Sequence, residues 1–272
     1  MEALYYTDWK WAAMRGVLHT VGRASDGIAL GMERGFDSGE SMAYIYRNHP
    51  HGRYGIGTFA DWVYLQQVGC RGLRGRKRLL KAALRDAIAA NRAAGQPTHV
   101  LDVAAGAADY LLETFAEDGG ADLSAECRDM DTSALRHGEA HAAELGLANV
   151  HFVWADAFDP AAFAGLSPAP NVVIVSGFYE ILLMDESVQS SLALIAKALA
   201  PGGVLIFTTQ VRHPQLEMIA HVLNDRYGQP WVMKLRSARL VEGWAREVGF
   251  SSCQTVAEPL GLFTVTTAHL SC

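Results

Sequence analysis

The sequence predicts an α/β protein: a doubly wound, mostly parallel seven-stranded sheet with an antiparallel last strand, preceded by an N-terminal helical cap. Three observations predict it. From Thr98 onward, short β-branched apolar runs alternate with stretches of helical period, the pattern of βα units on a parallel sheet. Residues 1 to about 95 are rich in aromatic residues, Gly and Arg, with helix-like patterning and no convincing strand. The last two apolar runs are separated only by Glu258-Pro259-Leu260-Gly261, too few residues for a crossover helix, so that pair must be antiparallel.

The seam between the two regimes is Ala93-Ala94-Gly95-Gln96-Pro97, where Gly ends a helix and Pro forbids its continuation. Residues 1–96 therefore form the cap, on the substrate side, and residues 97–272 the sheet domain. The predicted strands are Thr98–Val103, Leu123–Arg128, Val150–Trp154, Asn171–Ser176, Gly203–Thr209, Ser251–Ala257 and Leu262–His269. The predicted helices of the sheet domain are Ala107–Glu117, Ser133–Leu145, Glu186–Leu199, Pro214–Arg226 and Ala238–Val248. Ser133 and Asp185 are candidate N-caps, Pro214 suits a first helical turn, and Ala200-Pro201-Gly202-Gly203 reads as a helix end turning into a strand.

With 272 residues the chain is long enough for one core plus an appendage. Half the residues are hydrophobic and 19% charged, which excludes a disordered protein. Lys plus Arg total 23 against 29 for Asp plus Glu, and a net charge of −6 argues against nucleic acid as a partner. Apolar runs such as Asn171 to Tyr179 are too short to span a bilayer, and the opening Met1-Glu2-Ala3-Leu4-Tyr5-Tyr6 lacks the basic start of a signal peptide. Cys70, Cys127, Cys253 and Cys272 are scattered, without metal-ligand spacing or a disulfide framework, so the expectation is a reduced, cytoplasmic protein without a metal site. Arg71, Arg74, Arg76, Lys77, Arg78, Lys81 and Arg85 form a basic run, read either as a solvated helix face or as a surface for an anionic substrate or membrane.

In an open α/β sheet, ligands bind beyond the C-terminal strand ends, at the reversal of strand order. The first turn there is Leu101-Asp102-Val103-Ala104-Ala105-Gly106-Ala107-Ala108-Asp109-Tyr110: an acid closing a strand, then the smallest side chains opening a helix. Small residues let a ligand approach backbone closely, and the helix start offers free N–H groups. The second strand ends at Arg128-Asp129-Met130-Asp131, with Asp129 placed 23 residues after Gly106, where a carboxylate can accept from both hydroxyls of a ribose. The third ends at Trp154-Ala155-Asp156-Ala157-Phe158, where Asp156 can accept from an exocyclic amine while Phe158 or Met130 packs on a flat base. Three strand ends with three acids point to a nucleoside pocket. The turn lacks a G-x-G-x-x-G pattern, and Asp109 would repel a pyrophosphate. S-adenosylmethionine, carrying a sulfonium and an ammonium but no phosphate, suits it better.

On these segments, residues 98–269 resemble a class I S-adenosylmethionine-dependent methyltransferase, a fold whose sheet ends in such an antiparallel strand. The chain from about residue 36 is also similar to a family of methyltransferases often fused behind an α/β-hydrolase domain. That likeness rests on Tyr44-Ile45-Tyr46-Arg47-Asn48, Gly72-Leu73-Arg74-Gly75-Arg76-Lys77, Leu101 to Gly106 and Arg128 to Asp131. It continues through Ser176-Gly177-Phe178-Tyr179-Glu180, His213-Pro214-Gln215-Leu216-Glu217 and Gly261-Leu262-Phe263-Thr264-Val265. The resemblance implies that Asp102 and Gly106 hold the methionine end, Asp129 the ribose, and Asp156, Ala157 and Phe158 the adenine, with Ala104 and Met130 as further cofactor-binding residues. Ser176 and Gly177 would face the sulfonium. A glycine would be expected at Ala108 and a base at Asp109, and Arg47 is the candidate replacement for binding the methionine carboxylate.

Methyl transfer needs alignment and dryness, and a base only if the nucleophile carries a tightly held proton. His213, Tyr179 and Glu180 are the catalytic candidates, just past the fifth and fourth strands; each has an equally available structural role as a core or capping residue. Tyr44, Tyr46 and Arg47 are read as substrate-binding, part of an aromatic lid over the sulfonium or else groove-filling core. The acceptor expected is a small or lipid-like molecule. A nicotinamide-dependent oxidoreductase and a non-catalytic S-adenosylmethionine binder stay as alternatives.

Overall fold

The computed structural model describes residues 2–271, with side chains from Trp9 onward. In chain order it begins with helices α1 (Glu2–Thr20), α2 (Asp26–Arg34), α3 (Gly39–Arg47), α4 (Ile56–Leu65) and α5 (Val68–Ala93). There follow β1 (Thr98–Val103), α6 (Asp109–Asp118), β2 (Leu123–Asp129), α7 (Thr132–Glu144), β3 (Val150–Trp154) and β4 (Val172–Val175). Then come α8 (Asp185–Ala198), β5 (Val204–Gln210), α9 (Leu216–Val222), α10 (Ala238–Glu247), β6 (Phe250–Ala257) and β7 (Phe263–Leu270). The chain forms two compact units, Met1–Arg74 with His213–Met233, and Gly75–Arg212 with Lys234–Cys272.

In the first unit, α2 and α3 start on serines: Ser25 accepts from the Ile28 N–H and Ser38 from the Ser41 N–H, each meeting one of the orphan donors of a first turn. A fully buried carboxylate, Asp61 on α4, ties the segments together. It accepts from Ser25 Oγ at 2.6 Å, the Gly27 N–H at 2.8 Å, the His51 N–H at 2.9 Å and the Tyr44 hydroxyl. Trp11 is buried and stacks on His221 at 5.4 Å, whereas Trp9 is exposed.

The second unit is a seven-stranded sheet in the order β3-β2-β1-β4-β5-β7-β6, all parallel except β7. Alternating side chains split its core into two layers, because successive strand residues point to opposite faces. Val100, Val172, Ile174 and Ile206 pack with Leu84, Leu111 and Phe115 on one side. Leu101, Val103, Val173, Val175 and Leu205 pack with Val188, Leu192 and Val241 on the other. Both faces of β4 are buried, which is why its four residues read as an unbroken apolar run. Glu258 closes the β6–β7 hairpin by accepting from the Leu260, Leu262 and Phe263 N–H groups.

Four local expectations are corrected. The N-cap of α7 is Asp131, not Ser133: its carboxylate accepts from the Ser133 and Ala134 N–H groups, where a negative charge also suits the helix dipole. Asp185 lies inside the first turn of α8, with Met184 at the cap position, because its carboxylate is taken by Lys234 and Arg236 at 2.8 Å each. The helix expected over Pro214–Arg226 is shorter, Leu216–Val222, since Pro214 sits in a turn before it. Within the basic run, Lys77, Lys81 and Arg85 are not free to form an anionic docking face. Lys77 and Lys81 bind Glu113 at 2.6 and 2.9 Å, Lys81 and Arg85 bind Glu117, and Arg76 is buried.

Candidate functional site

The strand registers bring the predicted residues of the second unit to one sheet edge. Val103 pairs with Arg128 and with Val175, and Asp129 pairs with Trp154, so Ala104, Asp129, Ala155 and Ser176 begin four neighbouring tips. The break in strand order, between β1 and β4, lies among them, the place where open α/β sheets bind ligands.

The turn after β1 is held in an unusual conformation. Ala104, Gly106 and Ala108 all have φ between 54° and 58°, the left-handed region that alanine adopts at a cost of roughly 1 kcal/mol. This coil delays α6 until Asp109, two residues later than its Ala-rich sequence suggests. It also turns the Gly106 N–H onto Asp129 Oδ2 at 2.8 Å, while Oδ1 accepts from the Asp131 N–H at 2.8 Å. Each carboxylate oxygen keeps a further lone pair for a ligand hydroxyl. Met130, next in sequence, is half exposed, with Trp154 donating to its carbonyl at 3.1 Å, and Phe158, partly exposed, has its ring 5.7 Å from that of Phe178. Asp156 Oδ1 accepts from the Phe158 N–H at 2.9 Å, which sets the Asp156-Ala157-Phe158 turn.

Asp102 lies behind this turn, fully buried, and the Tyr110 hydroxyl reaches its two oxygens at 2.7 and 2.6 Å. Burial pushes its carboxyl up to about 8, against the Tyr110 hydrogen bond and with the help of the nearby Asp129 charge. The folded chain thus keeps a proton that the unfolded chain, with a carboxyl near about 4, has already lost. The stability this contributes is complete below about pH 4 and falls as pH rises to about 8, by up to ~1.4 kcal/mol per pH unit. Thermal melts should show a decline between about pH 5 and 8 that is largely absent in Asp102→Asn; equal declines in both proteins would mean that Asp102 titrates normally. Asp109, read from sequence as a charge facing the ligand, has His141 Nδ1 at 3.3 Å and is also raised by burial.

On the other side of the switch, Ser176 leads into Gly177, whose φ is 74° and whose N–H donates to Thr208 Oγ1 at 2.9 Å. A side chain at Gly177 would meet the Arg76 guanidinium at 3.1 Å. Arg76 in turn binds Glu180 Oε1 at 2.9 Å, with both side chains almost wholly buried, and lies over the Phe263 ring at 5.1 Å. Glu180 Oε2 is buried with no hydrogen-bond partner, and burial raises its carboxyl despite Arg76. Tyr179 is set in the core, its hydroxyl 3.4 Å from Ser191 Oγ, and burial raises the phenol well above its ordinary value. Arg236 fixes the segment carrying these residues, donating to the Tyr179 and Leu182 carbonyls at 2.6 Å each and to Asp185.

His213, Tyr44, Tyr46 and Arg47 belong to the first unit. His213 Nδ1 accepts from the Gln215 N–H at 3.2 Å, which puts the ring proton on Nε2, and burial lowers its affinity for a second proton. It lines a recess of about 470 Å³ with Pro214, Glu217, His221, Val232 and Met233. Tyr44 is committed to Asp61 and packs its ring on Gly27, Tyr46 is half-buried and Arg47 exposed.

Arg76 and Arg236 were not singled out as site residues from sequence. Arg76 could have been found: it falls three residues after Leu73 and four before Leu80, on the buried stripe of α5, where a solvated arginine has no place. Tyr110, eight residues from Asp102, shows only in the fold.

Residues 2–270 match the model of a family described as "Putative methyltransferase". The chain belongs to that family. It is 40% identical over 264 residues to YnbC, an uncharacterized protein of Escherichia coli (strain K12), matching 96% of this chain but 45% of YnbC, so it spans less than half of that relative. Among solved structures, a possible exported protein from Bordetella parapertussis superimposes with a TM-score of 0.75 at 18% identity, covering 96% of this chain and 88% of that one. The S-adenosylmethionine-dependent methyltransferase SibL, in its apo form, gives 0.55 at 18% identity over 96% and 77%. These likenesses establish the methyltransferase fold.

Proposed function

We propose that the chain is an S-adenosylmethionine-dependent methyltransferase, working in the cytoplasm on a small-molecule or lipid-like acceptor. The observation that carries this reading is the bond from the Gly106 N–H to Asp129, which joins the small-residue turn to a carboxylate with room for a diol. The residues present fit the group. Asp129 would take the ribose hydroxyls, Met130 and Phe158 would cover the base, Asp156 and Ala157 would border it, and Ala104 and Gly106 would leave backbone open to the methionine end. Asp102 would meet the ammonium through a carboxyl that binding should deprotonate. Three unpaired cysteines, Cys70, Cys127 and Cys253, support a reducing compartment; Cys272 lies outside the described residues.

The bound cofactor supplies a methyl group on a sulfonium, already activated for in-line displacement. The protein then has to place the acceptor and take its proton. We assign the proton to Glu180, whose Oε2 is desolvated and has no partner, while Arg76 positions the carboxylate through Oε1. His213, neutral and with its Nδ1 lone pair engaged by Gln215, is set to donate rather than accept. Tyr179 has its hydroxyl in the core, beside Ser191 Oγ, and is given no proton to carry.

Calorimetric titration tests the assignment. S-adenosylhomocysteine should bind with a dissociation constant of about 10 μM or tighter, and a nicotinamide dinucleotide should give no heat. Tighter dinucleotide binding would reverse the reading in favour of an oxidoreductase; tight binding with no labelled product from any acceptor would leave a non-catalytic binder.

A further inference from the structure

We propose that the α4 face of the first unit is a docking surface for anionic lipid bilayers. Ile56, Phe59, Trp62 and Val63 recur at helical spacing and are 60%, 64%, 50% and 38% exposed, so the outer side of this helix is apolar. Phe59 and Trp62 stack on each other at 6.0 Å. Tyr54, just before the helix, is 91% exposed and held at φ 58°, a strained conformation that gains it no packing. The opposite side of α4, with Asp61 and Leu65, is fully buried, so the helix is firmly mounted with its aromatic side outward.

Charge selects the occupant. From Ser41 to Arg74 the exposed charged residues are Arg47, Arg53 and Arg71, all positive, and the single acid, Asp61, is fully buried and bonded inward. This occurs in a chain whose net charge is −6. A cluster of exposed aromatic side chains in a stretch whose exposed charges are all arginines matches the headgroup layer of a negatively charged leaflet, where rings sit at the apolar boundary and cations meet phosphates. Among the described residues no helix is long and apolar enough to cross a membrane, so the contact is a surface one. It does not rest on the methyl-transfer reading.

The test is co-sedimentation of the full chain with vesicles of phosphatidylcholine alone or mixed equally with phosphatidylglycerol, with tryptophan emission recorded alongside. Binding to the mixed vesicles should be at least about tenfold stronger than to neutral ones, weaken with salt, and shift emission to the blue. The double substitution Phe59→Ser with Trp62→Ser, and separately Arg53→Glu, should each lower binding about tenfold while circular dichroism and S-adenosylhomocysteine titration stay unchanged. No preference for anionic vesicles, or binding indifferent to these substitutions, overturns the proposal. So does a self-associating chain, seen by sedimentation, whose dimer the same substitutions dissolve, because the occupant would then be a second copy.

Discussion

Asp129→Ala is expected to weaken S-adenosylhomocysteine binding by at least about 100-fold, roughly 2.7 kcal/mol. A carboxylate accepting from two ribose hydroxyls makes two charge-assisted bonds, and alanine leaves both hydroxyls unmet in a partly desolvated site. Asp129 is only 7% exposed and satisfies the Gly106 and Asp131 N–H groups, so its loss should also cost roughly 1–3 kcal/mol of folding free energy. Asp129→Asn separates the two effects. It keeps one oxygen for a backbone N–H, so the fold should hold better, while its amide presents a donor where an acceptor is needed. Titration and melting of both variants decide the matter; unaltered binding in Asp129→Ala would remove the ribose assignment.

Asp61→Ala should be the most damaging substitution in the first unit, costing roughly 3–5 kcal/mol. It strips the partner from Ser25 Oγ, Tyr44 Oη and two backbone N–H groups on separate segments, of which Ser25 Oγ and the Gly27 N–H are buried. Burial and the Asp61 charge hold the Tyr44 phenol above its ordinary value, so it remains a donor across physiological pH. Tyr44→Phe, which removes one donor and leaves three, should cost about 1–2 kcal/mol. Urea denaturation of both variants gives the comparison, and a loss below about 1 kcal/mol for Asp61→Ala would mean the network adds little.

The sheet domain was legible because its information is local. A strand buried on both faces must be a continuous apolar run, so Val172–Val175 announces itself, and a four-residue link leaves the last pair no direction but antiparallel. Acids at strand tips were visible for the same reason, since Asp129 and Asp156 interrupt apolar runs at fixed places. What depended on side chains distant in sequence was not legible. Asp131 outcompeted Ser133 for the α7 cap because a carboxylate could reach two N–H groups. Asp61 lies in an apolar helix with no pattern to mark it as a hub, and its donors come from 10 to 36 residues away. The return of His213–Met233 to the first unit likewise has no compositional mark.

The antiparallel strand β7 has a consequence for biosynthesis. It pairs with β5 along the whole of Val204–Gln210, and β6 reaches the sheet only through β7. While a ribosome is still making Phe263–Leu270, five strands can already be in place with a nearly fully buried β5 as their naked margin. Nascent chains stalled or clipped in that interval carry a long sticky rim of unpaired amides and carbonyls. Holding such intermediates apart until the last hairpin closes is a natural task for a chaperone.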